Sequence, residues 1–277
     1  RKYRNDASVS DDDAALVRDA GILQNTIGRS TANVGDINGD KKDDWVLGDP
    51  SSSRGYVLFG ESSSLTNLRV SVMLVESADS SSSTRSGLGW ACAGLGDMNV
   101  DGYGDFIITA PAGNVAYVVY GRARRNFPSQ LVLSLMSSRQ GYKIVGSGRD
   151  RSFGMSVSSG GDFNGDGRRD ILISALRSSS SSQATIYVIV GNGSSVIGGS
   201  GGGVSGKPLV VSVDGLGNSS YFKIVSVKGS FTGLSVSWVG DMNGDGYDDV
   251  GIGSAPYQSG GSIEQQTYVV YGRDWVG

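Results

Sequence analysis

The sequence predicts an all-β fold, a β-propeller assembled from four repeats of a four-stranded antiparallel unit. Short runs rich in β-branched and aromatic residues recur along the chain, each bounded by Gly, Ser or Asp, which is typical of strands. Helical periodicity is nearly absent. An Asp-rich loop of nine residues recurs four times in the 277-residue chain, beginning at Asp36, Asp97, Asp162 and Asp241. A supersecondary unit repeated at this spacing indicates propeller blades.

Residues 1–25 are predicted to form an N-terminal segment of their own. Three acids before an apolar run at Asp11–Val17 allow a short helix, with a solvated acidic tail as the alternative. Gly21–Gln24 stands in the place of a fourth strand, and repeat four ends on its third strand. We therefore expect Gly21–Gln24 to pair with Tyr268–Tyr271 and close the ring, which removes two exposed sheet edges. The alternatives are a share in a larger ring or strands lent to a neighbouring molecule.

The propeller is predicted over residues 26–277, with repeats at about 26–85, 86–146, 147–226 and 227–277. In each repeat a first strand leads into the Asp loop, a second strand follows it, and a third ends in Gly. The predicted strands are 26–36, 45–50, 55–60 and 70–75; 86–97, 106–111, 115–121 and 142–146; 152–162, 171–176, 185–191 and 221–226; and 231–241, 250–256 and 267–272. We expect the first strands to lie innermost and the loops to share one face.

The four loops carry Asp, Asn, Asp and Asp at positions 1, 3, 5 and 9. They hold 14 of the 27 acidic residues of the chain. The predicted side-chain ligands are Asp36, Asn38, Asp40 and Asp44; Asp97, Asn99, Asp101 and Asp105; Asp162, Asn164, Asp166 and Asp170; and Asp241, Asn243, Asp245 and Asp249. Ca²⁺ takes six to eight such oxygens, so the spacing predicts up to four Ca²⁺ ions. The alternative for any single loop is a surface turn rich in Asp, Asn and Gly.

Composition excludes several classes of function. The chain has no His, which removes Ser-His-Asp triads, His-ligated zinc and His general bases. Its one cysteine, Cys92, can form no internal disulfide and is interpreted as a core strand thiol. A formal charge of −3 gives no indication of a nucleic-acid partner. No run of about 18 apolar residues predicts a membrane span.

These residues resemble a known family. Phe153-Gly154 before the third loop, the loop pattern itself, and Ala110-Pro111 or Ala255-Pro256 after the loops are similar to FG-GAP repeats, which build the β-propeller of integrin α subunits. The resemblance implies a Ca²⁺-loaded propeller for extracellular recognition. It also implies that the position-7 backbone carbonyls are ligands, which here belong to Lys42, Tyr103, Arg168 and Tyr247.

Two departures from the family pattern stand out. Lys41 occupies position 6 of the first loop, where the other loops have Gly102, Gly167 and Gly246. A residue other than Gly at positive φ costs about 1 kcal/mol, so the first site is expected to be the weakest. Integrin propellers also have seven blades, whereas this chain has four repeats.

The resulting functional prediction is a non-catalytic, extracellular or cell-surface recognition or adhesion module. Its partner would be an extracellular protein, a glycan, or copies of itself. The alternatives are a structural subunit of an extracellular filament or coat and a glycan- or lipid-cleaving enzyme. Asn192 and Asn218 begin glycosylation sequons.

Overall fold

The computed structural model describes residues 27–60, 70–76, 86–177, 184–191, 209–216, 221–225, 231–255, 257–259, 262–264 and 267–274. Over these residues the regular structure is β-strand, with short 3₁₀ turns at Pro111–Gly113, Arg124–Asn126, Leu133–Leu135 and Val213–Gly215. The all-β prediction is therefore confirmed. Asp11–Val17 and the proposed closing strand Gly21–Gln24 lie outside the described residues, so ring closure stays a prediction.

Four sheets follow one another along the chain. Sheet 1 contains β1 (Ser30–Gly35), β2 (Asp44–Asp49), β3 (Arg54–Leu58), β4 (Val72–Val75) and β8 (Gln130–Val132). Sheet 2 contains β5 (Cys92–Gly96), β6 (Asp105–Ala110), β7 (Val115–Val119), β9 (Gly141–Val145) and β14 (Leu209–Ser212). Sheet 3 contains β10 (Asp150–Arg151), β11 (Val157–Ser159), β12 (Ile171–Arg177), β13 (Ala184–Ile189) and β15 (Tyr221–Val225). Sheet 4 contains β16 (Phe231–Gly240), β17 (Asp249–Ala255) and β20 (Thr267–Val270), and a separate hairpin pairs β18 (Tyr257–Ser259) with β19 (Ser262–Glu264).

The sheets differ from the predicted four-stranded antiparallel unit at their outer edges. In sheet 1, β8 pairs in parallel with β4, and in sheet 2, β14 pairs in parallel with β9. Each added strand comes from the following repeat, and sequence reasoning missed both. The physical reason is burial, since Leu131 of β8 and Val211 of β14 reach the apolar clusters beside their sheets. These strands tie each repeat to the sheet before it.

Three apolar clusters fill the spaces between successive sheets. Val46, Leu74 and Ile108 meet between sheets 1 and 2. The second cluster joins sheets 2 and 3, and the third joins sheets 3 and 4. Strands such as β6 are buried on both faces, which explains why they read as continuous apolar runs rather than alternating ones. No cluster among the described residues joins sheet 4 to sheet 1.

The first strand of each sheet contacts the first strand of the next, β1 with β5, β5 with β11 and β11 with β16. The approach is close, because a Cβ atom added at Gly94 of β5 would lie 2.6 Å from the carbonyl oxygen of Asn33 in β1. Trp90 Nε1 donates a hydrogen bond of 3.1 Å to the carbonyl oxygen of Met155, which links sheets 2 and 3. This arrangement agrees with first strands that lie innermost.

The parallel strand β8 provides the first test. Leu131 of β8 is 4% exposed, whereas Leu135 in the turn that follows is 66% exposed. Leu131→Ala should lower the free energy of unfolding by about 2–5 kcal/mol, because it leaves a cavity in the first cluster. Leu135→Ala should change it by less than about 0.5 kcal/mol. Urea unfolding of the two variants measures the difference. Similar losses in the free energy of unfolding would show that the packing of β8 does not stabilise sheet 1.

Candidate metal-binding loops

The four Asp loops connect the first and second strands of the four sheets. Loop 1 is Asp36–Asp44, loop 2 is Asp97–Asp105, loop 3 is Asp162–Asp170 and loop 4 is Asp241–Asp249. Gly104 N donates a hydrogen bond of 2.8 Å to Asp36 O, and Asp248 N donates one of 3.0 Å to Asp162 O. Loops 2 and 3 line a common cleft. Successive loops are thus neighbours, and the four form one row as the repeat order predicts.

The aspartate at position 1 organises the backbone of its own loop. In loop 4, Asp241 Oδ1 accepts hydrogen bonds from Gly244 N at 2.6 Å and Asp245 N at 3.1 Å, and Asp241 Oδ2 accepts one from Gly246 N at 2.8 Å. The hydrogen bond from Gly246 is the largest cause that lowers the pKa of Asp241. Asp36, Asp97 and Asp162 receive loop amides in the same way. The position-1 carboxylate therefore holds the tight turn through hydrogen bonds from the backbone of its own loop.

The aspartate at position 9 is the most buried part of each loop. Asp44, Asp105, Asp170 and Asp249 are all 0% exposed. Each accepts one amide from position 2 of its loop and one from the glycine that follows the third strand of its sheet. The donor pairs are Ile37 and Gly60, Met98 and Gly121, Phe163 and Gly191, and Met242 and Gly272. One carboxylate thus joins the loop, the second strand and the end of the third strand.

Burial has an electrostatic consequence at this position. It raises the pKa of Asp44 to about 6 and the pKa values of Asp105 and Asp170 to about 7, against the lowering effect of the two backbone hydrogen bonds. The aspartates at positions 1 and 5 of the same loop raise these values further. The ionised form of this buried carboxyl group is therefore disfavoured, and a bound cation would favour it.

The glycine that closes each third strand is required for steric reasons. A Cβ atom at Gly60 would lie 2.5 Å from Asp43 O, and one at Gly272 would lie 2.5 Å from Asp248 O. At Gly121 and Gly191 the added atom would overlap the carbonyl oxygens of Gly104 and Arg169. The sequence shows these glycines as the ends of the third strands, but their role as braces for the buried aspartates was not predicted.

Positions 3, 5 and 7 distinguish loop 1 from the others. In loops 2, 3 and 4 the Asn side chain donates to the position-5 aspartate at 2.9, 3.1 and 2.8 Å. In loop 1, Asn38 Nδ2 instead donates to both oxygens of Asp44, at 3.1 and 2.9 Å. The position-7 residues Lys42, Tyr103, Arg168 and Tyr247 donate their backbone amides to the position-5 carboxylates at 2.9–3.0 Å. These hydrogen bonds join positions 3, 5 and 7 within loops 2, 3 and 4, whereas in loop 1 they join position 3 to position 9 and position 7 to position 5.

Backbone strain occurs in two loops. Lys41 adopts φ of 68°, as its position-6 place predicts, where the equivalent glycines have φ of 81–91°. Val100 at position 4 of loop 2 adopts φ of 59°, which sequence reasoning missed. A β-branched residue in this region is a rarer outlier than lysine. The signal was available, because the other loops have glycine at position 4.

The donor set fits a hard cation, although the carboxylates are not gathered into a cluster. Among the residues that the structure describes, no group of three or more His, Cys, Asp or Glu side chains is placed to hold a metal as it stands. Asn38 Oδ1 and Asp40 Oδ2 are buried and have no hydrogen-bond partner, and the Arg124 guanidinium is 3.7 Å from Asp40 Oδ2. Buried oxygens of this kind are normally satisfied, so their chemistry fits a cation at loop 1.

The predicted strand thiol lies within the described residues, whereas the predicted glycosylation sites do not. Cys92 packs against the first apolar cluster, and burial raises the pKa of its thiol to about 11, which agrees with the interpretation as a strand thiol. The sequon residues Asn192 and Asn218 lie outside the described residues, so their glycosylation stays a prediction.

Loop 3 lies in a part of the chain that matches a known family. Residues 153–204 match the family model of the FG-GAP repeat. This part of the chain is an FG-GAP repeat. The match begins at Phe153 and includes the whole of loop 3. The next residue, Gly154, approaches Thr109 of sheet 2 closely. The resemblance based on the loop pattern is confirmed.

Curated relatives extend the likeness over most of the chain. It is 28% identical over 241 residues to "Integrin alpha pat-2" of Caenorhabditis elegans and 27% identical over 241 residues to the Caenorhabditis briggsae protein of the same name, each alignment covering 82% of this chain. It is 26% identical over 234 residues, 80% of this chain, to "Integrin alpha-5" of Xenopus laevis. The aligned part spans only 18–19% of these relatives. None of the described segments forms a helix long and apolar enough to cross a bilayer.

The glycine brace gives a second test. Gly121→Ala should lower the free energy of unfolding by more than about 2 kcal/mol, because the added methyl group overlaps Gly104 O and displaces the amide bonded to buried Asp105. Gly148→Ala is the matched control, since an added Cβ there meets nothing within 4 Å. Chemical denaturation of both variants checks the effect. Equal stabilities would mean that the loop can shift freely and that the brace is unimportant.

Proposed function

We propose that this FG-GAP chain is an extracellular Ca²⁺-binding β-propeller that acts as a non-catalytic recognition or adhesion module. The observation that carries the proposal is the fourfold repetition of one loop geometry, with a buried aspartate held by the same two amides in every sheet. The similarity to integrin α chains supports both the propeller and the extracellular setting.

Calcium would be held by positions 1, 3, 5, 7 and 9 of each loop. Ca²⁺ supplies positive charge and accepts a mixed set of carboxylate, amide and carbonyl oxygens. The chain supplies a tight turn formed by the position-1 aspartate and a buried carboxylate at position 9. A cation bound there compensates the desolvation of that carboxylate, so metal binding and folding support each other. The proposed role is structural.

Two acids outside the loops that the structure describes have roles in packing, which favours a non-catalytic protein. A glycosidase needs two carboxyl groups that flank its substrate, about 5–10 Å apart. Glu76 instead accepts a hydrogen bond of 2.8 Å from the hydroxyl of Tyr117, and buried Asp150 accepts one from the hydroxyl of Tyr187. These acids contribute to packing between strands. The absence of His from the whole sequence further supports the proposal.

A recognition module of this kind would bind an extracellular protein or glycan through residues at the ends of its strands. Rigid sheets present such residues in fixed positions, which suits binding without large conformational change. The relatives that align with most of this chain are named as integrin α proteins, and their similarity supports an extracellular ligand.

Calcium dependence is the decisive test. Chelation should lower the melting temperature, and Ca²⁺ should restore it at about 10⁻⁴–10⁻³ M, where Mg²⁺ does so poorly because it prefers a smaller octahedral site. Asp245→Ala should reduce the Ca²⁺-dependent gain more than Asp40→Ala, because loop 1 already contains the strained Lys41. Thermal melting with Ca²⁺, with Mg²⁺ and with chelator measures both effects.

Asp43→Asn is the control, since Asp43 is exposed and lies outside the five ligand positions. It should retain the full Ca²⁺-dependent gain. Identical melting temperatures with Ca²⁺ and with chelator would falsify the calcium proposal. Equal losses in the Asp245 and Asp40 variants would remove the ranking of the sites.

A second candidate is a structural subunit of an extracellular filament or coat. One observation favours it, because β20 forms an edge of sheet 4 among the described residues. Val269 within this strand and Tyr271 directly after it are 40% and 55% exposed. Exposed strand edges can pair between molecules. Sedimentation velocity over a range of concentrations separates the two functions. A recognition module should remain a monomer in Ca²⁺, whereas concentration-dependent growth would favour the filament.

A further inference from the structure

The junctions between successive loops are of two kinds. At the junction of loops 1 and 2, the ring of Tyr103 lies over Gly39, so that a Cβ there would be 2.7 Å from Tyr103 Cε1. At the junction of loops 3 and 4, Tyr247 lies over Gly165 in the same way, with a distance of 2.6 Å to Tyr247 Cε1. In both cases the residue at position 7 of one loop covers the residue at position 4 of the preceding loop. These two junctions are sealed.

The junction of loops 2 and 3 lacks this seal. Position 7 of loop 3 is Arg168, and position 4 of loop 2 is Val100. The backbone hydrogen bond that joins position 8 of one loop to position 1 of the preceding loop at the sealed junctions has no counterpart here among the described residues. A cleft of about 290 Å³ occupies the junction, lined by Gly96, Asp97, Met98, Val100, Gly167, Arg168, Arg169 and Gly191. We call it the 2–3 cleft.

The 2–3 cleft combines two arginines and apolar side chains with the carboxylate residue Asp97. Arg168 and Arg169 are exposed and make no ion pair with any other residue that the structure describes. The guanidinium of Arg169 lies across Gly96, where an added Cβ would be 2.9 Å from its Nη1. Val100 is 75% exposed and is held at φ of 59°. A strained and exposed apolar residue beside two unpaired arginines is typical of functional positions rather than of packing.

We propose that the 2–3 cleft binds a carboxylate side chain, flanked by an apolar residue, in an acidic segment of a protein partner. Arg presents a planar fork that matches a carboxylate, and Arg and Met are enriched in protein interfaces. The volume suits one or two side chains rather than a larger ligand. The inference rests on the proposed recognition function and on calcium binding. The aspartates of loops 2 and 3 outnumber the two arginines, so the surroundings of the cleft carry a net negative charge unless cations neutralise the aspartates.

The test uses the full chain in Ca²⁺ and a fluorescein-labelled hexapeptide of alternating aspartate and leucine. Fluorescence polarisation should show saturable binding, and the counterpart with asparagine in place of aspartate should not bind. The double substitution Val100→Gly with Arg168→Tyr reproduces the sealed junctions and should weaken binding at least about tenfold. Arg169→Gln should weaken it to a similar degree.

Arg151→Gln is the matched control. Arg151 is exposed and pairs with Leu176, at the end of β12 remote from loop 3, so its removal changes the net charge equally without touching the cleft. It should leave binding unchanged. Equal weakening by Arg151→Gln would show general charge attraction and overturn the proposal, as would binding that survives the double substitution.

Two further arms identify the ligand class and separate this proposal from calcium binding. If malonate competes as tightly as the peptide binds, the cleft is a small-anion site. If a uronic-acid oligosaccharide binds more tightly than the peptide, the cleft is a glycan site. Either result overturns the proposal. Melting temperatures are recorded on the same samples. A Ca²⁺-dependent rise without peptide binding rejects the 2–3 cleft alone, whereas the absence of that rise rejects the calcium proposal on which it rests.

Discussion

The structure depends on a buried carboxylate that appears once in every sheet. The position-9 aspartate is the first residue of the second strand or, for Asp170, the residue directly before it. Its two oxygens accept amides from the loop before it and from the glycine after the third strand. Burying such a group is costly unless it is hydrogen-bonded or paired with a cation. Two amides satisfy it only partly, as the raised pKa values of Asp105 and Asp170 indicate. The proposed calcium is the remaining partner, so the loop that shapes each sheet would also make its stability depend on a metal.

The sheets are then joined by contacts of several kinds. Apolar clusters fill the three spaces between neighbours, and the parallel strands β8 and β14 attach a later repeat to an earlier sheet. At the loop row, tyrosines seal two junctions and leave the third open. The repeats are therefore not equivalent units, since the open junction breaks the regularity at the one place where Arg replaces Tyr. The repeated loop with its buried aspartate contributes to stability in every sheet, and we expect a partner-specific surface at the irregular junction of loops 2 and 3.

Most strands and loops could be predicted from the sequence because their signals are local. The run ILISAL and the observed β12 differ by a single residue, and VSVMLV contains β4. The parallel strands were missed since LVV and QLV are short and their pairing partners lie in another repeat. The strain at Lys41 followed from its loop position, whereas Val100 was overlooked although the same comparison of loops would have found it.

The sequence by itself determined the order of the first three strands in each sheet, the four loops and the oxygen-bearing side chains they carry, because spacing and residue type decide which backbone turns and oxygens are available. The tertiary structure decided which groups are buried and which neighbours meet. Only the close approach of each third strand's end to the Asp loop of its own sheet makes the closing glycines indispensable to Asp105 and its counterparts. Only the order of the loops in space brings Arg168 and Val100 to a shared cleft. Burial and contact between distant repeats are properties of the assembled chain, and no local pattern encodes them.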